Sequence, residues 1–156
     1  MQQPFVLRAA AQGLANLPMQ VILTTGASGR GPKSNPNLHL VRWVSHTELL
    51  PQLDLMITTG GLATVQTTLR AGVPMIVVPT EWDKPDIARS VVETGAGVRL
   101  APKDCTPERL REMVQHVLAT PSIKQNSQRM AGVFAQYGGP LAAAKLLEEL
   151  AAQHPA

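Results

Sequence analysis

The sequence predicts an α/β protein, a parallel sheet with flanking helices, and three observations carry that reading. Short apolar runs alternate along the chain with segments whose apolar residues recur at helical spacing. Two of the runs, Val21-Ile22-Leu23 and Met75-Ile76-Val77-Val78, are unbroken, as in strands covered on both faces. Turns at Gly26, at Thr58 to Ala63 and at Pro79 to Asp83 each follow such a run. Right-handed crossovers gather turns of that kind at the carboxyl edge of a sheet, where α/β proteins bind ligands.

The elements follow in order. From Pro4 to Leu17, the residues Phe5, Leu7, Ala10, Leu14 and Leu17 keep helical spacing, and Pro18 closes the segment. Gln20 to Gly26 is a strand, Ala27 to Asn37 a polar loop, Leu38 to Val44 a second strand, and Thr47 to Leu53 a short helix with Pro51 near its middle. Leu55 to Ile57 is a third strand. The helix Ala63 to Ala71 turns Val65 and Leu69 inward and ends at Gly72-Val73-Pro74, before the strand Met75 to Pro79. After the loop Thr80 to Pro85 come a helix, Asp86 to Thr94, a turn, Gly95 to Gly97, and a short strand, Val98 to Leu100. Thr106-Pro107-Glu108 has the signature of a helix start, a capping hydroxyl, a proline at the first position and an acid in the first turn. Helices near Ser122 to Tyr137 and Pro140 to Gln153 complete the chain.

A length of 156 residues suits one domain with its own core, and 44% apolar against 16% charged residues is a globular balance. Cys105 is the one cysteine, which excludes an intrachain disulfide and fits a reducing, cytoplasmic setting. No stretch approaches ~18 consecutive apolar residues and no basic segment leads into one, so neither a membrane span nor export is expected. The formal charge of +3 is modest, Lys and Arg are scattered, and 3% aromatic residues leave little to stack on bases. Nucleic acid is a poor partner, whereas a small anion suits the surplus. There is no Asp-x-Asp and no His/Cys ligand cluster, so no protein-bound metal is expected.

The stretch with chemical content is Leu55 to Thr64, a strand, a paired-glycine turn at Gly60-Gly61 and a helix entrance. A helix start leaves N–H groups unpartnered and carries partial positive charge, so it can hold a diphosphate, and glycines let a phosphate approach the backbone. Thr59 and Thr64 add hydroxyl donors. An ordinary strand-to-helix turn is the plainer reading of the same residues.

From Val41 to about Leu150 the chain resembles the donor-binding half of nucleotide-sugar glycosyltransferases with the GT-B fold, above all bacterial enzymes that glycosylate macrolides and other natural products. The residues that carry the resemblance are Arg42-Trp43-Val44-Ser45-His46, Leu49-Leu50-Pro51, Asp54, Thr59-Gly60-Gly61-Leu62-Ala63-Thr64, Ala71-Gly72-Val73-Pro74, Val78-Pro79, Asp83, Ala88 and Gly95-Ala96-Gly97. The resemblance implies a Rossmann-like sheet and a UDP- or dTDP-sugar as substrate, with no separate cofactor. It places Trp43 and Val44 against the nucleobase, with His46 where the family often has Gln. A core aromatic is the other reading of Trp43, and a helix-cap role that of His46. Thr59, Gly60, Gly61, Ala63 and Thr64 fall on the diphosphate-binding turn, although Thr59 replaces a His and Ala63 a Gly. Thr67 falls where some relatives bind ribose, and a buried or solvated hydroxyl is its alternative. Trp82, Asp83 and Lys84 fall on the donor-sugar contact, with Lys84 in place of a Gln.

Two family features are not matched. The catalytic base belongs to the N-terminal acceptor domain, and none of His39, His46, His116 and His154 fits it, so no catalytic residue is assigned. The family's donor domain also opens with a strand before the first helix, whereas this sequence reads Met1-Gln2-Gln3 there. Either the neighbouring strands pair directly, or another chain supplies the strand, as in a homodimer formed by strand exchange, or the chain is a fragment of a larger two-domain enzyme, with the acceptor domain in cis or in trans. The fragment reading is the expectation. The whole would be a glycosyltransferase that moves a hexose onto a small-molecule hydroxyl, with this chain alone inactive. The alternative is a non-catalytic or partner-dependent nucleotide-sugar-binding module.

Overall fold

The computed structural model describes residues 4–26, 29, 31–32 and 36–153. Met1 to Gln3, part of the loop from Ala27 to Asn37, and His154 lie outside the described residues. The chain runs α1 (Pro4–Gly13), β1 (Val21–Thr24), β2 (Leu38–Val41), α2 (His46–Leu49), β3 (Met56–Thr58), α3 (Leu62–Arg70), β4 (Met75–Val77), α4 (Lys84–Glu93), β5 (Gly97–Arg99), α5 (Pro107–Ala119), α6 (Pro121–Ala135) and α7 (Gly139–Gln153). This is the expected α/β order.

Strand β4 shows how the layers form. Successive side chains point to opposite faces. Ile76 and Val78 join one cluster with Val6 and Ala10 of α1, Leu14 just past its end, and Leu110 and Val114 of α5. Met75 and Val77 join another with Val65 and Leu69 of α3, Ala88 and Val91 of α4, and Met130 and Phe134 of α6. The three β4 side chains and Val78 just after them are fully buried, which is why this run carries no polar alternation.

All ladders among the described residues are parallel, but they form two sheets, β1-β2 and β3-β4-β5. No ladder joins β1 to β3. Between them lies a cavity of about 570 Å³, lined by Ala10 of α1, Leu14 just after it, Ile22 and Leu23 of β1, Ile57 of β3 and Leu50. Direct pairing of these two strands, one of the three arrangements the sequence left open, is therefore not adopted.

Several boundaries differ from expectation for identifiable reasons. The first helix ends at Gly13 rather than Leu17, because Asn16 takes a left-handed φ of 61° and the side chain of Asn37 captures the carbonyls beyond. Its Nδ2 donates to the carbonyls of Leu14 at 2.9 Å, Leu17 at 3.3 Å and Met19 at 3.1 Å, and its Oδ1 accepts from the Asn16 N–H at 3.1 Å. Strand β2 stops at Val41 instead of Val44, so Trp43 lies outside the sheet. The helix expected from Thr47 to Leu53 becomes a single α turn followed by a 3-10 turn at Leu50–Gln52, since Pro51 lacks the N–H that a longer helix requires. Strand β3 is shifted by one residue to Met56–Thr58, and α4 begins at Lys84 rather than Asp86. Thr106 caps α5 as expected, accepting the Arg109 N–H at 3.2 Å.

Candidate functional site

The site forms where parallel strands end. Beyond β3, the Val78 N–H donates to the Thr58 carbonyl at 2.8 Å, which sets the turn after β3 beside the turn after β4. Between β3 and α3, Thr58 Oγ1 accepts the Gly60 N–H at 3.2 Å, and Gly60 takes a φ of +90° that side-chain-bearing residues rarely adopt. Gly61 is the residue before the helix, in extended conformation, and a Cβ there would meet nothing within 4 Å. That open space faces the start of α3.

The first intrahelical bond of α3 runs from the Val65 N–H to the Gly61 carbonyl at 3.0 Å. The N–H groups of Leu62, Ala63 and Thr64 come before it, and among the described residues they meet no acceptor. No side chain caps this end. Three N–H groups and the positive end of a helix of nine residues are thus left open at a glycine turn, a geometry that suits an anion. Thr59 and Thr64 are half-buried beside it. Thr67 gives its hydroxyl proton to the Ala63 carbonyl at 2.7 Å, so toward a ligand it can only accept.

The second turn brings Trp82, Asp83 and Lys84. Trp82 holds a left-handed φ of 63° with its side chain 86% exposed, a conformation costing ~1–2 kcal/mol in a residue with a Cβ. Asp83 precedes α4 and is exposed, with its carbonyl taking the Asp86 and Ile87 N–H groups at 3.1 Å each. Lys84 reaches back so that Nζ donates to Thr80 Oγ1 at 3.0 Å. Its Cβ would lie 3.4 Å from a Cβ placed on Gly60, so the starts of α3 and α4 are packed together. No carboxylate of the described residues pairs with Lys84.

The third group lies past β2. Trp43 is 78% exposed, which removes the core-aromatic reading, while Val44 and His46 are half-buried and line the rim of the cavity between β1 and β3. His46 opens α2, but its ring makes no capping bond, and Ser45 before it makes none either. Helix α3 packs against both α2 and α4. His39 pairs with Gln20 through Nε2 at 2.6 Å and His116 is exposed on α5, structural or solvated positions as expected. Among the described residues no three His, Cys, Asp or Glu side chains stand together as a metal site. Sequence reading missed Thr58 and Thr80, which hold Gly60 and Lys84; the spacing of four between Thr80 and Lys84 was the one available signal.

Comparison with known proteins sets this geometry in context. Residues 9–150 match the family model of the erythromycin biosynthesis protein CIII-like C-terminal domain. Among curated relatives, the demethyllactenocin mycarosyltransferase of Streptomyces fradiae is 32% identical over 154 residues, covering 96% of this chain and 33% of the relative. The 10-deoxymethynolide desosaminyltransferase of Streptomyces venezuelae is 34% identical over 147 residues, covering 92% of this chain and 34% of the relative. The chain thus spans about a third of the length of the curated relatives it matches. Among solved structures, the calicheamicin glycosyltransferase CalG4 superimposes over 100% of this chain and 42% of its own, with a TM-score of 0.88 and 27% identity. The glycosyltransferase VinC, solved in complex with dTDP, covers 81% of this chain and 34% of its own, with a TM-score of 0.71 and 28% identity.

Proposed function

The chain belongs to the erythromycin biosynthesis protein CIII-like C-terminal domain family, and from that premise we propose that it is the donor-binding half of a natural-product glycosyltransferase. The donor is a UDP- or dTDP-hexose and the acceptor a hydroxyl of a small molecule. VinC was solved with dTDP, which makes dTDP the first nucleotide to test. The proposed partner is an acceptor domain, joined in cis or supplied in trans. The similar proteins are glycosyltransferases, which weighs against a non-catalytic module. The single buried thiol of Cys105 supports a cytoplasmic setting.

The observation that carries the proposal is the open N-terminus of α3 at Gly60-Gly61, with Lys84 packed against Gly60. Sugar transfer breaks the bond between the anomeric carbon and the diphosphate, so negative charge grows on the leaving oxygen. The N–H groups of Leu62, Ala63 and Thr64 would stabilise that charge together with the helix dipole and the hydroxyls of Thr59 and Thr64. Thr59 carries no charge where the family's His can, and the Lys84 stem packs on Gly60 of that turn with its ammonium on Thr80 of the neighbouring one. The exposed face of Trp43 would stack on the nucleobase, with Val44 and His46 beside it. Thr67 would accept from ribose, and Trp82, Asp83 and Lys84 would hold the sugar hydroxyls. Activation of the acceptor hydroxyl falls to the acceptor domain, so the chain alone binds donor without turning it over.

Calorimetric titration with dTDP and UDP tests this, alongside Thr64→Ala and Trp43→Ala variants checked for native circular dichroism. Saturable binding that both variants weaken is expected. A folded parent that binds neither nucleotide at millimolar concentration would sink the proposal.

A further inference from the structure

We propose that Thr80 and Lys84 act as one unit that selects the donor sugar, admitting a hexose without a basic amine and rejecting an aminosugar, with Thr80 as the positioning residue. This rests on the reading of the α3 entrance as the diphosphate site. Lys84 opens α4, and its Nζ donates to Thr80 Oγ1 at 3.0 Å. Thr80 takes one of the three N–H donors of an ammonium, which leaves the others for a ligand. Glu81, Asp83 and Asp86 lie close by in sequence, yet among the described residues none forms an ion pair with Lys84, whereas Asp86 pairs with Arg89.

The lysine is held at both ends of its stem. Its Cβ packs on Gly60, 3.4 Å from where a side chain there would begin, and its head rests on Thr80, which follows the buried Val78-Pro79 at the end of β4. Both residues are half-buried. The shape of the donor brings its sugar to this side, because base and sugar hang from opposite ends of a diphosphate. Val44 and His46, proposed for the base, line the cavity at one edge of β3, and β4 takes the other edge. With the diphosphate at Gly60-Gly61 and the base on the Val44 side, the sugar falls on the β4 side, where Thr80 and Lys84 stand.

An ammonium held in place reads charge. A sugar hydroxyl or carboxylate can accept from Nζ, whereas a protonated amine has no lone pair to offer and meets a like charge. Asp83 would attract such an amine, but it is exposed, and solvent and salt screen an exposed carboxylate more than a half-buried ammonium. Repulsion therefore wins. Thr80 sets its strength: without the hydroxyl the lysine head can swing into solvent, and the charge is no longer held beside the sugar.

The test titrates the full chain calorimetrically with UDP, UDP-glucose and UDP-glucosamine, and with their dTDP counterparts, at about pH 6, where the sugar amine carries a proton. The parent is compared with Lys84→Gln, Thr80→Val, Thr80→Ser and the combined Lys84→Gln and Thr80→Val variant, each checked for native circular dichroism. The quantity read is the affinity for the glucose compound over that for the glucosamine compound, which cancels any general loss of nucleotide binding. The expected ratio is about fivefold or more in the parent and about one in Lys84→Gln, lowered in Thr80→Val and restored in Thr80→Ser. The combined variant should match Lys84→Gln, because Thr80 acts only through the ammonium. A parent ratio of about one, a ratio that Lys84→Gln leaves unchanged, or one that ignores Thr80→Val would overturn this proposal, while binding of UDP or dTDP in the same titrations keeps the donor site standing. A folded parent that binds no nucleotide would remove both.

Discussion

Gly60 and Lys84 lie 24 positions apart in sequence and pack against each other, with Lys84 Cβ 3.4 Å from where a Gly60 side chain would begin. This contact joins the two turns proposed to hold diphosphate and sugar. At Gly60 the φ of +90° and the Val77 Cγ1 atom 3.0 Å from an added Cβ both oppose a side chain. Gly60→Ala is expected to cost about 1–3 kcal/mol and to lower the thermal midpoint by ~2–4 °C per kcal/mol. Calorimetric melting reads it, and an unchanged midpoint would show that the turn relaxes freely.

Lys84→Gln separates charge from shape, since it keeps a hydrogen-bonding head and a long stem. Carried on a half-buried stem packed against Gly60, the ammonium is expected to contribute about 1 kcal/mol to diphosphate binding, or roughly fivefold in affinity. The variant should weaken dTDP and leave thymidine unaffected, and raising the salt concentration should narrow the difference from the parent. Equal loss for nucleotide and nucleoside would place Lys84 away from the phosphates.

The two tryptophans are 78% and 86% exposed. Removing either should therefore change stability by less than about 0.5 kcal/mol. Native emission should resemble that of a solvated indole. In a Trp82→Phe background, dTDP should quench or blue-shift the remaining Trp43 signal; a signal that ignores saturating, calorimetrically verified ligand would remove Trp43 from the base site.

Asn37 is buried and joins the end of α1, the connection to β1 and the start of β2 through one side chain. Asn37→Ala leaves the buried Leu14 carbonyl and the partly buried backbone groups of Asn16, Leu17 and Met19 without that partner, and a loss of about 2–4 kcal/mol is expected. Urea unfolding measures it. A loss below ~0.5 kcal/mol would mean that water replaces the amide.

Burial pushes the Cys105 thiol up, disfavouring the thiolate in the folded chain. The folded state then holds its proton more tightly than the unfolded one, so this stabilisation is complete below the unfolded pKa and is lost as pH rises through the folded value. Native protein should react slowly with a thiol reagent at pH 8 and rapidly once unfolded. Equal rates in both states would contradict the burial.

Local chemistry made much of this protein legible from sequence. Unbroken apolar runs, paired glycines and Thr106-Pro107 fixed the order of strands, turns and helix starts, because each depends on residues within a few positions. The turn from Thr59 to Thr64 could be singled out for the same reason. Tertiary structure alone decided what depends on distant partners. Asn37 ends the first helix from more than 20 residues away, the contact between Gly60 and Lys84 needs β3 and β4 side by side, and Trp43 is exposed because β2 stops at Val41. Whether β1 pairs directly with β3, an arrangement the sequence left open, was likewise decided only there: apolar runs specify that strands are apolar, whereas which edges meet is settled only when all the layers pack.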